Sequence, residues 1–144
     1  MRFVMFMIPA AYQGGKGKRV GADFTPPADA VEAMMKYNEE LAKAGHLIAL
    51  DGLHPIEKGA RVSFATGKPV VTDGPFIESK EVFGGYWHVE FKSKEEAIEW
   101  AKRIPAANGD TIEIRQVFEP EEWIEDAAKA ANSRIVKEAL AKRK

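Results

Sequence analysis

The chain has 144 residues, no cysteine, 21 basic and 22 acidic side chains, and a formal net charge of −1. Disulfides, thiolate catalysis and zinc–thiolate sites are therefore excluded, and the charge balance gives no general attraction to nucleic acid or acidic lipid. This is the usual length of one domain, and folding at this size withdraws roughly 68% of the unfolded surface from water, enough for a core without staples.

In chain order, Arg2–Ile8 (RFVMFMI) is apolar on both alternating faces after Arg2, which predicts a strand in the middle of a sheet. Pro9 ends the apolar run too soon for a signal peptide or a membrane span, so the expected location is the cytoplasm, with no membrane partner. Tyr12 to Pro27 is rich in Gly and Lys but lacks phosphate-loop spacing, and it reads as a mobile surface loop. Thr25 offers an N-cap with Pro26 at the first helical position. A helix to Gly45 should bury Val31, Met34, Met35, Leu41 and Ala42.

His46–Asp51 reads as the second strand. RVSFAT-GK-PVVTD predicts a hairpin turning at Gly67-Lys68, and Gly85–Phe91 alternates. That alternation puts Trp87, Val89 and Phe91 on one side, with Tyr86, His88 and Glu90 on the other. Ser93-Lys94-Glu95-Glu96 is a capping box opening a second helix, whose stripe is Ala97, Ile98, Ala101 and Ile104 and which Pro105 stops. Thr111–Phe118 is a last strand, with Ile112, Ile114 and Phe118 opposite Thr111, Glu113, Arg115 and Val117. From Pro120 a third helix presents Trp123, Ile124, Ala127, Ala128, Ala131, Ile135 and Ala139 to the body, with a break expected at Asn132-Ser133.

The expected fold class is α+β, a ferredoxin-like β-α-β…β-α-β with an antiparallel sheet, an inserted hairpin and an extra C-terminal helix. Residues 1–119 form the domain and 120–144 the helical extension. Both amphipathic helices need a surface, and one sheet face supplies it. Leaving the apolar side chains of the other face wet forfeits roughly 1.5–3 kcal/mol apiece, so a homodimer pairing these faces around a cavity is expected.

Several motifs in fixed order carry a family resemblance: Gly52-Leu53-His54-Pro55, Val71-Thr72-Asp73-Gly74-Pro75-Phe76, Glu78-Ser79-Lys80-Glu81, Gly84-Gly85-Tyr86 and Ile112-Glu113-Ile114-Arg115. The chain resembles the YCII-related domain family, in the branch named for its Asp-Gly-Pro-Phe motif, from Met1 to about Phe118. The resemblance implies a dimeric α+β barrel and supplies no reaction. A lyase in the wider family, which eliminates chloride from a ring-derived acid with a His and an Asp, takes its histidine from the first-helix region. Here that region, PPADAVEAMMKYNEEL, has none.

Each candidate site residue has two readings. Asp73 either accepts backbone N–H groups in the turn before Gly74-Pro75, or acts as a general base or ligand contact. Gly84-Gly85 permits either a bulge or a close backbone approach. Lys80 either pairs with Glu81 or holds Asp73 or an anion, with Gly74 beside it as a ligand contact. Glu113 and Arg115 form either a structural ion pair or a carboxylate clamp in the dimer cavity. His54 and His88 are the acid–base candidates, His54 as a loop residue and His88 on the face of Glu113 and Arg115, while His46 reads as structural. No metal spacing or dinucleotide fingerprint occurs, so no metal and no cofactor are expected. The expected function is a small acidic-metabolite site in the dimer cavity with cofactor-independent lyase or isomerase chemistry; the alternative is a non-catalytic ligand-binding or regulatory dimer.

Overall fold

A computed structural model describes residues 1–14, 18–74 and 81–143 of the chain. Strand β1 (Arg2–Ile8) lies inside a four-stranded antiparallel sheet with β2 (Leu47–Gly52), β5 (Gly85–Glu90) and β6 (Thr111–Gln116), in the order β2-β5-β1-β6. Strands β3 (Ala60–Ser63) and β4 (Val70–Asp73) form the hairpin as a separate two-stranded sheet. With α1 (Ala28–Lys43) after β1 and α2 (Lys94–Ala101) after β5, this architecture is α+β and consistent with the ferredoxin-like expectation.

The two helices share one face of the sheet. Phe3, Met5 and Met7 of β1 and Trp87 and Val89 of β5 point into it, meeting Tyr37 and Leu41 of α1 and Ala97 of α2. Phe3, Met5, Leu41 and Val89 are wholly enclosed, each stabilising the fold by roughly 1.5–3 kcal/mol. Tyr37 stands edge-on to Trp87 at 6.0 Å between ring centroids and lies 6.3 Å from Trp100, tying both helices to β5.

Helix α1 departs from the expected stripe and start. The inward positions are Met34, Tyr37, Asn38 and Leu41, whereas Val31, Met35 and Ala42 are exposed. Tyr37 and Asn38 tolerate burial because their polar atoms are used: the Tyr37 hydroxyl donates to the Trp100 carbonyl at 3.0 Å, and Asn38 Oδ1 accepts the Trp87 indole N–H at 2.8 Å. Burial pushes the Tyr37 phenol up to about 12. The helix starts after Pro27 rather than at Pro26, since a residue preceding proline is driven out of the helical region. At the other end Gly45 takes φ 80° and His46 N–H donates to the Leu41 carbonyl, closing the helix as expected.

Two further expectations are corrected and one is refined. The 12–27 loop lies at the surface over most of its described length, as expected, but it is anchored at three points. The Tyr12 hydroxyl donates to the Leu53 carbonyl, Gln13 bonds both the amide and the carbonyl of Val82, and Arg19 pairs with Glu57 at 3.0 Å with its side chain only 5% exposed. The hairpin connection runs over residues 64–69 instead of a two-residue turn, and both strands are exposed. The last strand ends at Gln116, leaving Phe118 out against Trp123.

The C-terminal segment is two short helices, α3 (Glu125–Ala130) and α4 (Arg134–Ala141), broken where the Ser133 hydroxyl caps the second. Its apolar side chains do not dock on the body as expected: Ile135 is 75% exposed, and Ile124 and Leu140 are also exposed. Most of the expected stripe was alanine, which offers little area to bury.

Candidate functional site

The candidate side chains fall into two groups, one at the end of the sheet and one on the face opposite the helices. The first is built by close backbone approach. A Cβ on Gly84 would lie 2.4 Å from Pro9 Cγ, and one on Gly85 would lie 2.9 Å from the Asp51 carbonyl oxygen. The double glycine therefore serves close contact rather than a bulge, Gly85 with the Asp51 backbone and Gly84 with the Pro9 ring, and it lets Leu53 N–H donate to the Gly84 carbonyl at 2.9 Å. Leu53 is pinned from both sides, since its carbonyl also accepts the Tyr12 hydroxyl at 2.9 Å. His54 follows, exposed, from this fixed point.

Cavities lie on either side of Leu53 and His54. The inner one, of about 500 Å³, is walled by the first helix and by the loop carrying Tyr12 and Phe24, with Met34, Met35 and Asn38 in its lining. The outer one, of about 410 Å³, is lined among the described residues by Ile56, Lys58, Gly59, Arg61 and Phe83 together with Leu53 and His54. The base of the hairpin abuts the outer cavity: Gly74 N–H donates to the Gly59 carbonyl at 2.8 Å, and a Cβ on Gly74 would fall 1.7 Å from the Ile56 carbonyl oxygen.

The helix-free face follows from strand register. Val4 stands opposite His88 on one side and Arg115 on the other, while Phe6 stands between Tyr86 and Glu113. Asp51 extends this second row and accepts the Tyr86 hydroxyl at 2.6 Å, which raises the phenol's pKa. Arg115 Nη1 is 3.7 Å from Glu113 Oε2, with the guanidinium exposed. Arg2 holds Glu119 through two bonds of 2.8 and 3.0 Å, a fork geometry that pulls the carboxyl below its ordinary range. His88 Nε2 is buried without a partner among the described residues. Burial first, and then the Arg2 charge, lower its pKa, against an opposing pull from Glu119.

The structure thus brings His88, Glu113 and Arg115 to one face and sets His54 and Gly74 apart at the sheet end. His54 and His88 do not form one site. Asp73 is exposed at the end of β4, opposite Ala60, and residues 75–80, which include Lys80, lie outside the described residues. His46 is structural as expected, its Nδ1 lying 2.9 Å from the Glu90 carbonyl and its ring packing on Phe91 at 4.6 Å.

Arg2, Glu119, Lys58 and the Arg19–Glu57 pair were not singled out from the sequence. Alternation put Arg2 on the face of Val4, but its partner lies 117 positions away, past the last strand, and no local signal links them. Glu57 also carries a buried oxygen, Oε2, without a partner among the described residues.

A profile of the YCII-related domain matches residues 1–123, and the chain belongs to that family. It is also similar to an uncharacterised protein of Rhizobium meliloti (strain 1021), 33% identical over 69 residues, which cover 48% of this chain and 56% of the relative. The match thus spans little more than half the relative's length.

Proposed function

We propose that this YCII-related protein, of the Asp-Gly-Pro-Phe branch, holds a small organic acid at the sheet end beside His54, moves a proton on it as a cofactor-independent lyase or isomerase, and works as a homodimer paired through its helix-free faces. The observation that carries the site is the inner cavity of about 500 Å³ with His54 in its wall. That volume lies within the roughly 300–1,000 Å³ of small-molecule sites, and its make-up, apolar walls with a few polar groups, matches theirs. An imidazole is the side chain best suited to exchange a proton near neutral pH. Lys58 of the neighbouring cavity supplies positive charge for a carboxylate.

Thermal shift against a panel of small carboxylic acids tests this reading. The wild type is expected to be stabilised by at least one acid, with a smaller shift in His54→Ala, and mass analysis after long incubation should find a product only with the wild type. Stabilisation without any product would make the protein the non-catalytic ligand-binding or regulatory module instead.

A second location is favoured by one feature of the helix-free face. His88 and Arg115 flank Val4 in a single cross-strand row, about 10 Å apart at two interstrand spacings. One acid lying across Val4 reaches both, its carboxylate on the Arg115 fork and its proton near His88. With the site there, Arg115→Ala abolishes the ligand-dependent shift and His54→Ala leaves it intact.

A further inference from the structure

We infer that the acid taken by the His54 site is amphipathic, an apolar body in the inner cavity with its carboxylate at the outer one, passing the Leu53 and His54 side chains between them. This rests on the reading of the sheet end as the ligand site and adds the chemical class of the ligand.

The inner cavity offers a polar ligand little. Three of its polar lining groups are already committed within the fold. The Tyr12 hydroxyl is spent on the Leu53 carbonyl, and Asn38 Oδ1 on the Trp87 indole. Asp110 accepts the amides of Ala10 and Ala107, each at 2.9 Å, one on each oxygen. What remains is mostly thioether, ring and aliphatic surface from Phe24, Val31, Met34 and Met35, with the Asn38 amide nitrogen, Thr25 and His54 as polar points. A small polar acid drawn inside replaces only part of its water with these few groups, whereas an aromatic or alkyl body gains by leaving water.

The outer cavity has the opposite character at its mouth. Lys58 lines it, exposed, so an anionic head is favoured there. Leu53 and His54 belong to both linings, and the Leu53 backbone is pinned at its N–H and its carbonyl. The exposed Leu53 and His54 side chains thus reach both cavities from a fixed main chain, and their rotamer changes are what joins the two without moving the sheet.

A matched triple of probes tests the inference: 3-phenylpropanoate, propanoate and 3-phenylpropan-1-ol, titrated calorimetrically into the full-length protein. The phenyl acid is expected to bind about tenfold or more tighter than propanoate, because only it buries an apolar body in the inner cavity. Met35→Glu, at an exposed position of the inner wall, should remove that advantage. Lys58→Ala should weaken the phenyl acid and leave the phenyl alcohol unchanged. Equal affinity for the two acids, with both lost in His54→Ala, overturns the amphipathic class while the His54 site stands. Tight phenyl-acid binding lost in Met35→Glu but untouched by His54→Ala supports the class and removes His54 from the site. No binding of the phenyl acid in the wild type overturns the inference outright.

Discussion

His88 is the side chain whose protonation the fold opposes most plainly. Its pKa lies below the ordinary 6.5, mainly because burial disfavours the imidazolium and next because of the Arg2 charge. Glu119 pulls the other way, and its own carboxyl lies below the ordinary 4.5 because Arg2 bonds it. The sign follows from linkage. An unfolded chain takes up a proton at position 88 near pH 6.5 and the folded chain only at lower pH, so stability falls as pH drops from about 6.5 through the folded value. Glu119 contributes stability above its unfolded pKa and loses it as pH falls through its lower folded value, so a second acid limb follows below pH 4.5. Melting temperature against pH is expected to show both limbs in the wild type and only the lower one in His88→Gln. Superimposable profiles between pH 7 and 5 would exonerate His88. At this scale alternation was informative: it put His88, Glu113 and Arg115 on one face, where the strand register has them. It could not supply the burial that lowers the His88 pKa, nor the opposing pull of Glu119, which reaches Arg2 from beyond the last strand with nothing local to either residue announcing the other.

Elements were legible wherever a local rule had no competitor. The capping box fixed the start of α2, with Ser93 Oγ accepting the Glu96 amide at 3.1 Å, and Gly45 fixed the end of α1. The start of α1 was misplaced where two signals collided, Thr25 as a cap against the Pro26-Pro27 pair that forbids a helical Pro26. The tied-down 12–27 loop was invisible because its anchors, Leu53, Glu57 and Val82, lie 38 to 69 positions away. Glycine was readable as a need for space but not as to whose. Gly74 is the sharpest case: any side chain there drives into the Ile56 carbonyl and displaces the amide that bonds Gly59. Gly74→Ala is expected to destabilise by about 1–3 kcal/mol, the usual range for forced overpacking. Gly52→Ala, with open space around its would-be Cβ, should stay within about 0.5 kcal/mol of wild type. Urea unfolding of the two variants measures the difference, and equal midpoints would mean that the hairpin base yields freely.

At the scale of the whole molecule the sheet has one face covered by helices and one that no described helix covers. Val4 and Phe6 run along the middle of this second face, both half-buried and Phe6 packed on Phe83 at 4.7 Å, with Arg2, Glu113 and Arg115 around them, a mixture suited to a second copy of the same face. Its size sets a condition on that pairing. Four strands at about 4.8 Å by six residues at about 3.3 Å give a projected patch of about 400 Å² per copy. The pair then covers about 800 Å², short of the ~1,200 Å² at which stable interfaces begin, so the borders of the face must contribute. Phe118 and Trp123 stand beyond the end of β6, packed on each other at 6.2 Å and otherwise offering apolar surface. Light scattering should therefore give about twice 15.9 kDa for the wild type. Val4→Lys, which adds a cation beside Arg115 in the middle of this face, should run as one chain with unchanged far-UV circular dichroism. Trp123→Ala should leave a dimer that dissociates on dilution sooner than the wild type. The hairpin offers a rival surface, with Val71 64% exposed, and Val71→Lys distinguishes the two. If that variant separates the copies and Val4→Lys does not, the second copy sits on the hairpin and the sheet face is left to solvent. A wild type running as a single chain at every concentration removes the pairing altogether, and with it the sheltered setting in which His88 and Arg115 would hold an acid between two copies.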